Sequence, residues 1–169
     1  TKEGYRDFAM LELLYATGMR VSELINLKTN DVDIINQRVR CMGKGSKERV
    51  IPIHQKAANA LKSYIMEIRP MLKKHTSHAI FLNHRGNRLT RQGFWHILKT
   101  YSRSVGLEDK VTHHSLRHSF ATHMLHGGAP LRHVQELLGH ASITTTQIYT
   151  HLTSDYVRSE YDKAHPRSR

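Results

Sequence analysis

Three short runs rich in β-branched residues, between residues 32 and 53, constrain the fold of this 169-residue chain more than any other feature. They cover Val32 to Ile35, Arg38 to Met42 and Arg49 to Ile53, and residues typical of turns separate them. The runs predict a small antiparallel sheet. Its second turn, Gly43-Lys44-Gly45-Ser46-Lys47, is flexible and strongly basic.

The rest of the chain is patterned for helices, because apolar residues recur at helical spacing between glycine and proline stops. Pro70 is expected to close one helix, and Thr90 and Thr112 to cap two others. Residues 79–82 suggest a short additional strand. The predicted helices cover about residues 5–16, 21–27, 55–68, 91–105, 114–125 and 130–139, with a mostly helical tail over 143–163. The expected fold is therefore mainly α with a small antiparallel β-sheet (α+β), in one domain.

Charge points to a polyanionic partner. Lys and Arg total 26 against 14 Asp and Glu, which gives a net charge of +12. Such an excess on a short chain is typical of nucleic-acid binding, although a basic domain with no such partner has the same composition. Nucleic acid is therefore the first candidate for the partner.

The cysteine content and the first residues of the chain indicate the cellular compartment. Cys41 is the single cysteine, so an internal disulfide framework is excluded and a reducing compartment is indicated. No apolar run is long enough to span a bilayer, and residues 1–4 do not begin a secretory segment. We expect a cytoplasmic protein with no membrane association. Because the first predicted helix starts almost at once and no initiator Met precedes it, we also expect a portion upstream.

Two arginines lie at positions that suit them to bind a phosphate group. Arg20 lies at the junction of two predicted helices, and its planar guanidinium can grip two oxygens of one phosphate. Arg117 lies three residues after His114 and so shares a helix face with it. Each has an ordinary alternative: Arg20 can pair with Glu23, and the histidines can bind metal. The HExxH pattern and a cysteine pair are both absent from the sequence, which disfavours the metal site.

Four segments resemble the tyrosine recombinases, and most closely the Xer-like integrases. They are TGMRVSELINL at 17–27, GKGSKER at 43–49, HSLRHSFATHML at 114–125 and LLGHASITTTQIYTH at 137–151. They occur in the family's order and span nearly the whole chain. The resemblance implies the catalytic-domain fold of that family over residues 1–169, and a separate core-binding domain upstream.

The resemblance also implies the site. Arg20 and Arg117 are the phosphate-binding arginines, Lys44 is the lysine of the sheet turn, His114 and His140 are the two histidine positions, and Tyr149 is the nucleophile. Relatives frequently have Pro where this chain has His113, and Lys47 is an alternative to Lys44. No metal or cofactor is expected, because the arginines supply the positive charge that a divalent ion otherwise provides.

The implied activity is site-specific DNA recombination. Tyr149 would form a 3′-phosphotyrosyl intermediate, followed by strand exchange and religation, and a tetramer of protomers would assemble on double-stranded DNA. A C-terminal helix that docks on a neighbouring protomer is part of that expectation. A type IB topoisomerase-like activity and a DNA-binding module without catalysis are the alternatives. The sequence leaves open whether the parent protein resolves chromosome dimers, integrates DNA or inverts it.

Overall fold

A computed structural model describes residues 1–139 and 154–168 of the chain. Eight helices and three strands are defined in this part. They are α1 (Lys2–Thr17), α2 (Val21–Asn26), β1 (Val32–Asp33), β2 (Arg38–Met42), β3 (Glu48–Pro52), α3 (Gln55–Ser63), α4 (Arg69–Leu72), α5 (Arg91–Ser104), α6 (His113–His126), α7 (Leu131–Leu138) and α8 (Ser154–Ala164). This confirms the predicted α+β composition.

The sheet has the order β1-β2-β3, and both pairings are antiparallel. Strand β2 alternates: Val39 and Cys41 are buried while their neighbours are exposed, as expected of a strand with one face on the core. Strand β1 is shorter than predicted, because Asp33 accepts hydrogen bonds from Asn36 and starts the turn there. Residues 79–82 form isolated bridges instead of the predicted strand.

Helix starts and stops follow the sequence signals except at Pro70. Thr90 accepts a hydrogen bond from the Gly93 amide, and Thr112 and Ser115 form a capping box. The prediction that Pro70 closes a helix was wrong, since helical backbone continues to Leu72. A π-helical turn at Tyr64–Ile68 precedes α4. Pro70 therefore lies in the first turn of α4, where a missing N–H is tolerated.

Helix α1 lies at the centre of the core and packs against α3 and α6. On the α3 side, the fully buried Tyr64 stacks on Phe81 and donates a hydrogen bond to the Ile80 carbonyl. On the α6 side, Phe120 and Met124 are fully buried, as their helical spacing predicts. In the described residues no helix is both long enough and apolar enough to cross a membrane.

Helix α8 packs on its own domain. The buried Tyr161 donates a hydrogen bond to the Ala16 carbonyl of α1 at 2.7 Å. Gly127, at the end of α6, has room only for a hydrogen, because a Cβ there would lie 2.0 Å from the Ala164 carbonyl oxygen. Docking of the C-terminal helix on a neighbouring protomer stays a prediction, because the structure contains a single chain.

Two buried histidines next to α8 make the stability of the fold depend on pH. Burial lowers the pKa of His54 to about 4 and that of His165 to about 4, and their rings lie 5.0 Å apart. In the unfolded chain the two histidines become protonated near pH 6.5, whereas in the folded chain they become protonated only near pH 4. The free energy of unfolding is therefore highest above pH 6.5 and decreases as the pH falls toward 4. We expect a loss of about 2 kcal/mol per histidine between pH 7 and pH 5.

Urea unfolding at several pH values measures this loss. His54 also caps α3 by accepting from the Ala57 amide, so His54→Asn keeps a capping acceptor but cannot titrate. The variant should show a shallower dependence on pH than the parent. An equal slope in the two proteins would mean that other groups cause the acid sensitivity.

Candidate active site

Arg117 is fixed by two backbone carbonyls. One of its terminal nitrogens donates to Gly18 at 2.7 Å and the other to Leu138 at 2.9 Å. Burial, reinforced by the positive charges of Arg20 and Arg49, lowers the pKa of Arg117 to about 10. The guanidinium stays protonated at neutral pH, and its fixed position suits it to bind an anion beside the end of α1 and the end of α7.

Gly18 brings Arg20 and Arg117 together. It ends α1 in the left-handed conformation (φ 65°), and a Cβ on it would lie 2.4 Å from the Phe120 ring. Any side chain would push α6 away, and with it Arg117. The chain then turns through Met19 to Arg20, which precedes α2 with its side chain 46% exposed.

Glu23 is the acidic centre of the cluster and is almost fully buried. Its carboxylate accepts a hydrogen bond from Arg20 at 3.2 Å and one from the Cys41 thiol at 2.6 Å, and it ion-pairs with Arg49 at 2.7 Å. Burial alone would raise the pKa of Glu23, but these partners outweigh it and lower the pKa. The Arg20–Glu23 pair considered above as an ordinary alternative is therefore present, and it holds Arg20 beside Arg117.

Cys41 has a structural role in this arrangement. It is buried on β2, as expected of a small strand residue. Burial raises the pKa of its thiol to about 12, and the Glu23 carboxylate acts in the same direction. The thiol therefore stays protonated and donates to Glu23.

The other predicted residues are placed to different extents. His114 is exposed in the first turn of α6, one turn before Arg117. Lys44 begins a 3₁₀ turn between β2 and β3, and its side chain lies outside the described part of the structure. His140 and Tyr149 also lie outside the described residues. Over residues 1–139 and 154–168, no group of three or more metal-ligating side chains is present.

Comparison with known proteins decides the family. The sequence model described as "Phage integrase family" matches residues 1–155. The chain belongs to the phage integrase family.

Named members of the phage integrase family are similar over nearly the whole chain. Tyrosine recombinase XerC of Herpetosiphon aurantiacus is 58% identical over 166 residues, which cover 98% of this chain and 54% of that protein. Tyrosine recombinase XerD of Listeria innocua is 52% identical over 170 residues, covering 99% and 57%. The chain thus spans slightly more than half the length of these relatives.

Solved structures of phage integrase family proteins share the fold. The crystal structure of XerA recombinase aligns with a TM-score of 0.76 and 34% identity over 96% of this chain and 59% of that one. The XerH site-specific recombinase bound to difH substrate aligns with a TM-score of 0.72 and 30% identity over 94% and 47%. The fold is that of a tyrosine recombinase catalytic domain, as the four sequence segments predicted.

Sequence reasoning missed the part played by two residues. From the sequence, Glu23 is only a rival partner for Arg20, and Arg49 is only a strand residue and the last residue of the GKGSKER segment. The sequence does place a carboxylate three residues after Arg20, and the structure shows that this carboxylate is buried. The partners of Arg49 lie 26 and 88 residues away, and no periodic pattern reveals them.

Proposed function

We propose that this chain is the catalytic domain of a site-specific DNA recombinase, and that it cleaves DNA by a metal-independent attack of Tyr149 on a phosphodiester. The observation that carries the proposal is the pairing of Arg20 and Arg117. Two guanidiniums from distant parts of the chain meet at the Gly18 turn, where Arg117 donates to the Gly18 carbonyl and Arg20 pairs with the buried Glu23 carboxylate. Such a pair suits the non-bridging oxygens of a phosphate.

Each step of the reaction has a residue to perform it. The phenol oxygen of Tyr149 attacks phosphorus, its proton passes to His114, and the bond from phosphorus to the 5′-oxygen breaks. Lys44 gives a proton to that oxygen, which leaves as a 5′-hydroxyl. Arg20, Arg117 and His140 stabilise the charge on the non-bridging oxygens. The product is a 3′-phosphotyrosyl ester, which keeps the energy of the original bond for religation.

Strand exchange follows when the 5′-hydroxyl of a partner duplex attacks the ester. We assign this outcome to a tetramer of protomers on DNA, with an upstream core-binding domain in the parent protein. The relatives named recombinases support the assignment, as does the XerH structure, whose title describes a complex with its difH substrate. A cytoplasmic site of action agrees with the single buried cysteine.

Trapping the covalent intermediate tests the proposal. The protein is incubated with duplexes that carry a nick near the cleavage site, so that the short fragment with the new 5′-hydroxyl diffuses away after cleavage. The protein is then denatured. We expect a protein–DNA adduct that resists denaturation and is joined through the 3′-phosphate. Binding without an adduct on target sites of the Xer type would favour a DNA-binding module. Cleavage and resealing without exchange between partners would favour topoisomerase-like activity.

Binding of DNA by this domain should depend steeply on salt. With a net charge of +12, we expect affinity to be dominated by the release of counterions. If about four phosphates are neutralised, affinity should fall about 10²-fold between 50 and 200 mM salt. Fluorescence anisotropy with a labelled duplex measures the slope, and an affinity that barely changes would exclude a surface that follows the phosphate backbone.

Chelators should leave adduct formation unchanged. In the proposed reaction, two arginines supply the charge stabilisation that a metal ion gives in other phosphoryl transfers. Adduct yield with nicked DNA in EDTA should equal the yield in Mg²⁺ at matched ionic strength. Loss of the adduct in EDTA and its recovery with a divalent ion would disprove the arginine account.

A further inference from the structure

Arg49 is a buried arginine that the proposed reaction does not use. It lies on β3 opposite Cys41 of β2, and its side chain is only 14% exposed. Its Nε donates to the Leu137 carbonyl at 3.0 Å, and Nη2 lies 2.7 Å from the Glu23 carboxylate. Because Nε donates to a backbone carbonyl and Nη2 forms an ion pair with the buried Glu23 carboxylate, Arg49 is not placed to grip DNA.

The guanidinium of Arg49 also packs against two glycines. A Cβ on Gly139 would lie 2.9 Å from its central carbon, and one on Gly43 would lie 3.4 Å from Nη1. Gly43 is the residue before Lys44, and Gly139 is the residue before His140. Gly139 takes the left-handed conformation (φ 70°) that ends α7. Glycine therefore suits this position because of its backbone conformation and because a Cβ would collide with Arg49.

This side chain thus connects its own segment, 43–49, with two others of the four that carry the proposed site. Through Glu23 it reaches Arg20, through Gly43 the base of the Lys44 turn, and through Leu137 and Gly139 the end of α7. Arg117 binds the adjacent carbonyl, Leu138, so two arginines together satisfy the last turn of α7. A cation at a helix C-terminus is also favoured by the helix dipole.

We propose that Arg49 is a positioning residue of the recombination reaction: it holds the Lys44 turn and the C-terminal end of α7 in register with Arg20. This inference rests on the function proposed above. The planar fork of arginine is needed because one head group must serve Leu137 and Glu23 in two directions. A lysine keeps the charge, but its three N–H donors all lie on one nitrogen, so it cannot hold both partners in place.

Arg49→Lys tests the role in single-turnover cleavage of nicked DNA at saturating concentration. We expect the rate constant for adduct formation to fall about 10²-fold, as for a misplacement of about 1 Å, while DNA affinity changes less than about 3-fold. A merely structural role would lower the amplitude, through loss of folded protein, and leave the rate constant unchanged. Arg103→Lys is the matched control, because Arg103 forms an exposed pair with Glu108 at 2.6 Å.

Amide hydrogen exchange provides a second readout that needs no activity. In Arg49→Lys the amides of Leu138 and Gly139 should exchange at least about 10-fold faster, while those in the middle of α1 keep their protection. Unchanged exchange at α7, or an unchanged rate constant with a normal amplitude, would overturn the proposal. If the parent protein forms no adduct at all, the proposed reaction fails, and exchange alone still decides whether Arg49 fixes the end of α7.

Discussion

Tyr149→Phe is expected to abolish covalent attachment to DNA while leaving DNA binding unchanged. The phenol oxygen is the atom that forms the new bond to phosphorus, and phenylalanine lacks it while keeping the ring. No other group of the proposed site can replace the nucleophile, so adduct formation should fall at least about 10⁴-fold. The measurement is adduct yield on nicked DNA, with affinity determined in parallel on the intact duplex.

Tyr156→Phe is the matched control for that experiment. It removes one hydroxyl from another tyrosine of the same C-terminal region, seven residues further along. Its adduct yield should equal that of the parent. If Tyr156→Phe lost the adduct and Tyr149→Phe kept it, the nucleophile would be misassigned. If both kept it, the covalent mechanism would require another residue altogether.

Lys44→Ala should slow cleavage by about 10²- to 10⁴-fold, the usual contribution of a general acid. Without a proton from Lys44, the 5′-oxygen must leave as an alkoxide. A substrate with sulfur at that bridging position leaves as a thiolate, which is far more stable because a thiol pKa is near 8.5. The defect of Lys44→Ala should therefore disappear on the sulfur substrate in single-turnover cleavage.

Three further variants make the sulfur experiment specific. Arg20→Ala and Arg117→Ala should stay slow on both substrates, because the arginines act on the non-bridging oxygens in either case. Lys47→Ala is the direct comparison, since Lys47 lies in the same turn. If sulfur rescued Lys47→Ala but not Lys44→Ala, the general acid would be Lys47.

Local sequence signals predicted most helix and strand boundaries. They failed where a distant contact or a neighbouring irregularity determined the boundary. Thr90, Thr112 and Gly139 mark helix ends in the structure as they do in the sequence, because caps and left-handed stops act within a few residues. Pro70 misled because the π-helical turn before it has no sequence signature. Strand β1 was overestimated because the Asp33 turn competes with pairing.

The same distinction between local signals and distant contacts applies to the candidate site. The resemblance predicted Arg20 and Arg117 as the phosphate-binding arginines, and the structure brings both to the Gly18 turn. The sequence did not reveal that the Glu23 carboxylate pairs with Arg49 or that Arg49 connects three segments. Both facts depend on which side chains meet across the fold, and a partner 88 residues away leaves no trace in local spacing.

The hydrogen bond from Tyr161 to Ala16 has a consequence for how this protein is made. It joins residues 145 positions apart, and Gly127 at the end of α6 packs closely against Ala164 at the end of α8. During synthesis, α1 leaves the ribosome well before α8, so this face of α1 stays uncovered until residue 161 has emerged. The core of this domain therefore cannot be completed before α8 has been made. Ribosomes stalled while α8 is still inside the exit tunnel should carry a domain that proteases cut readily, and a longer nascent chain in which Tyr161 has emerged should be resistant.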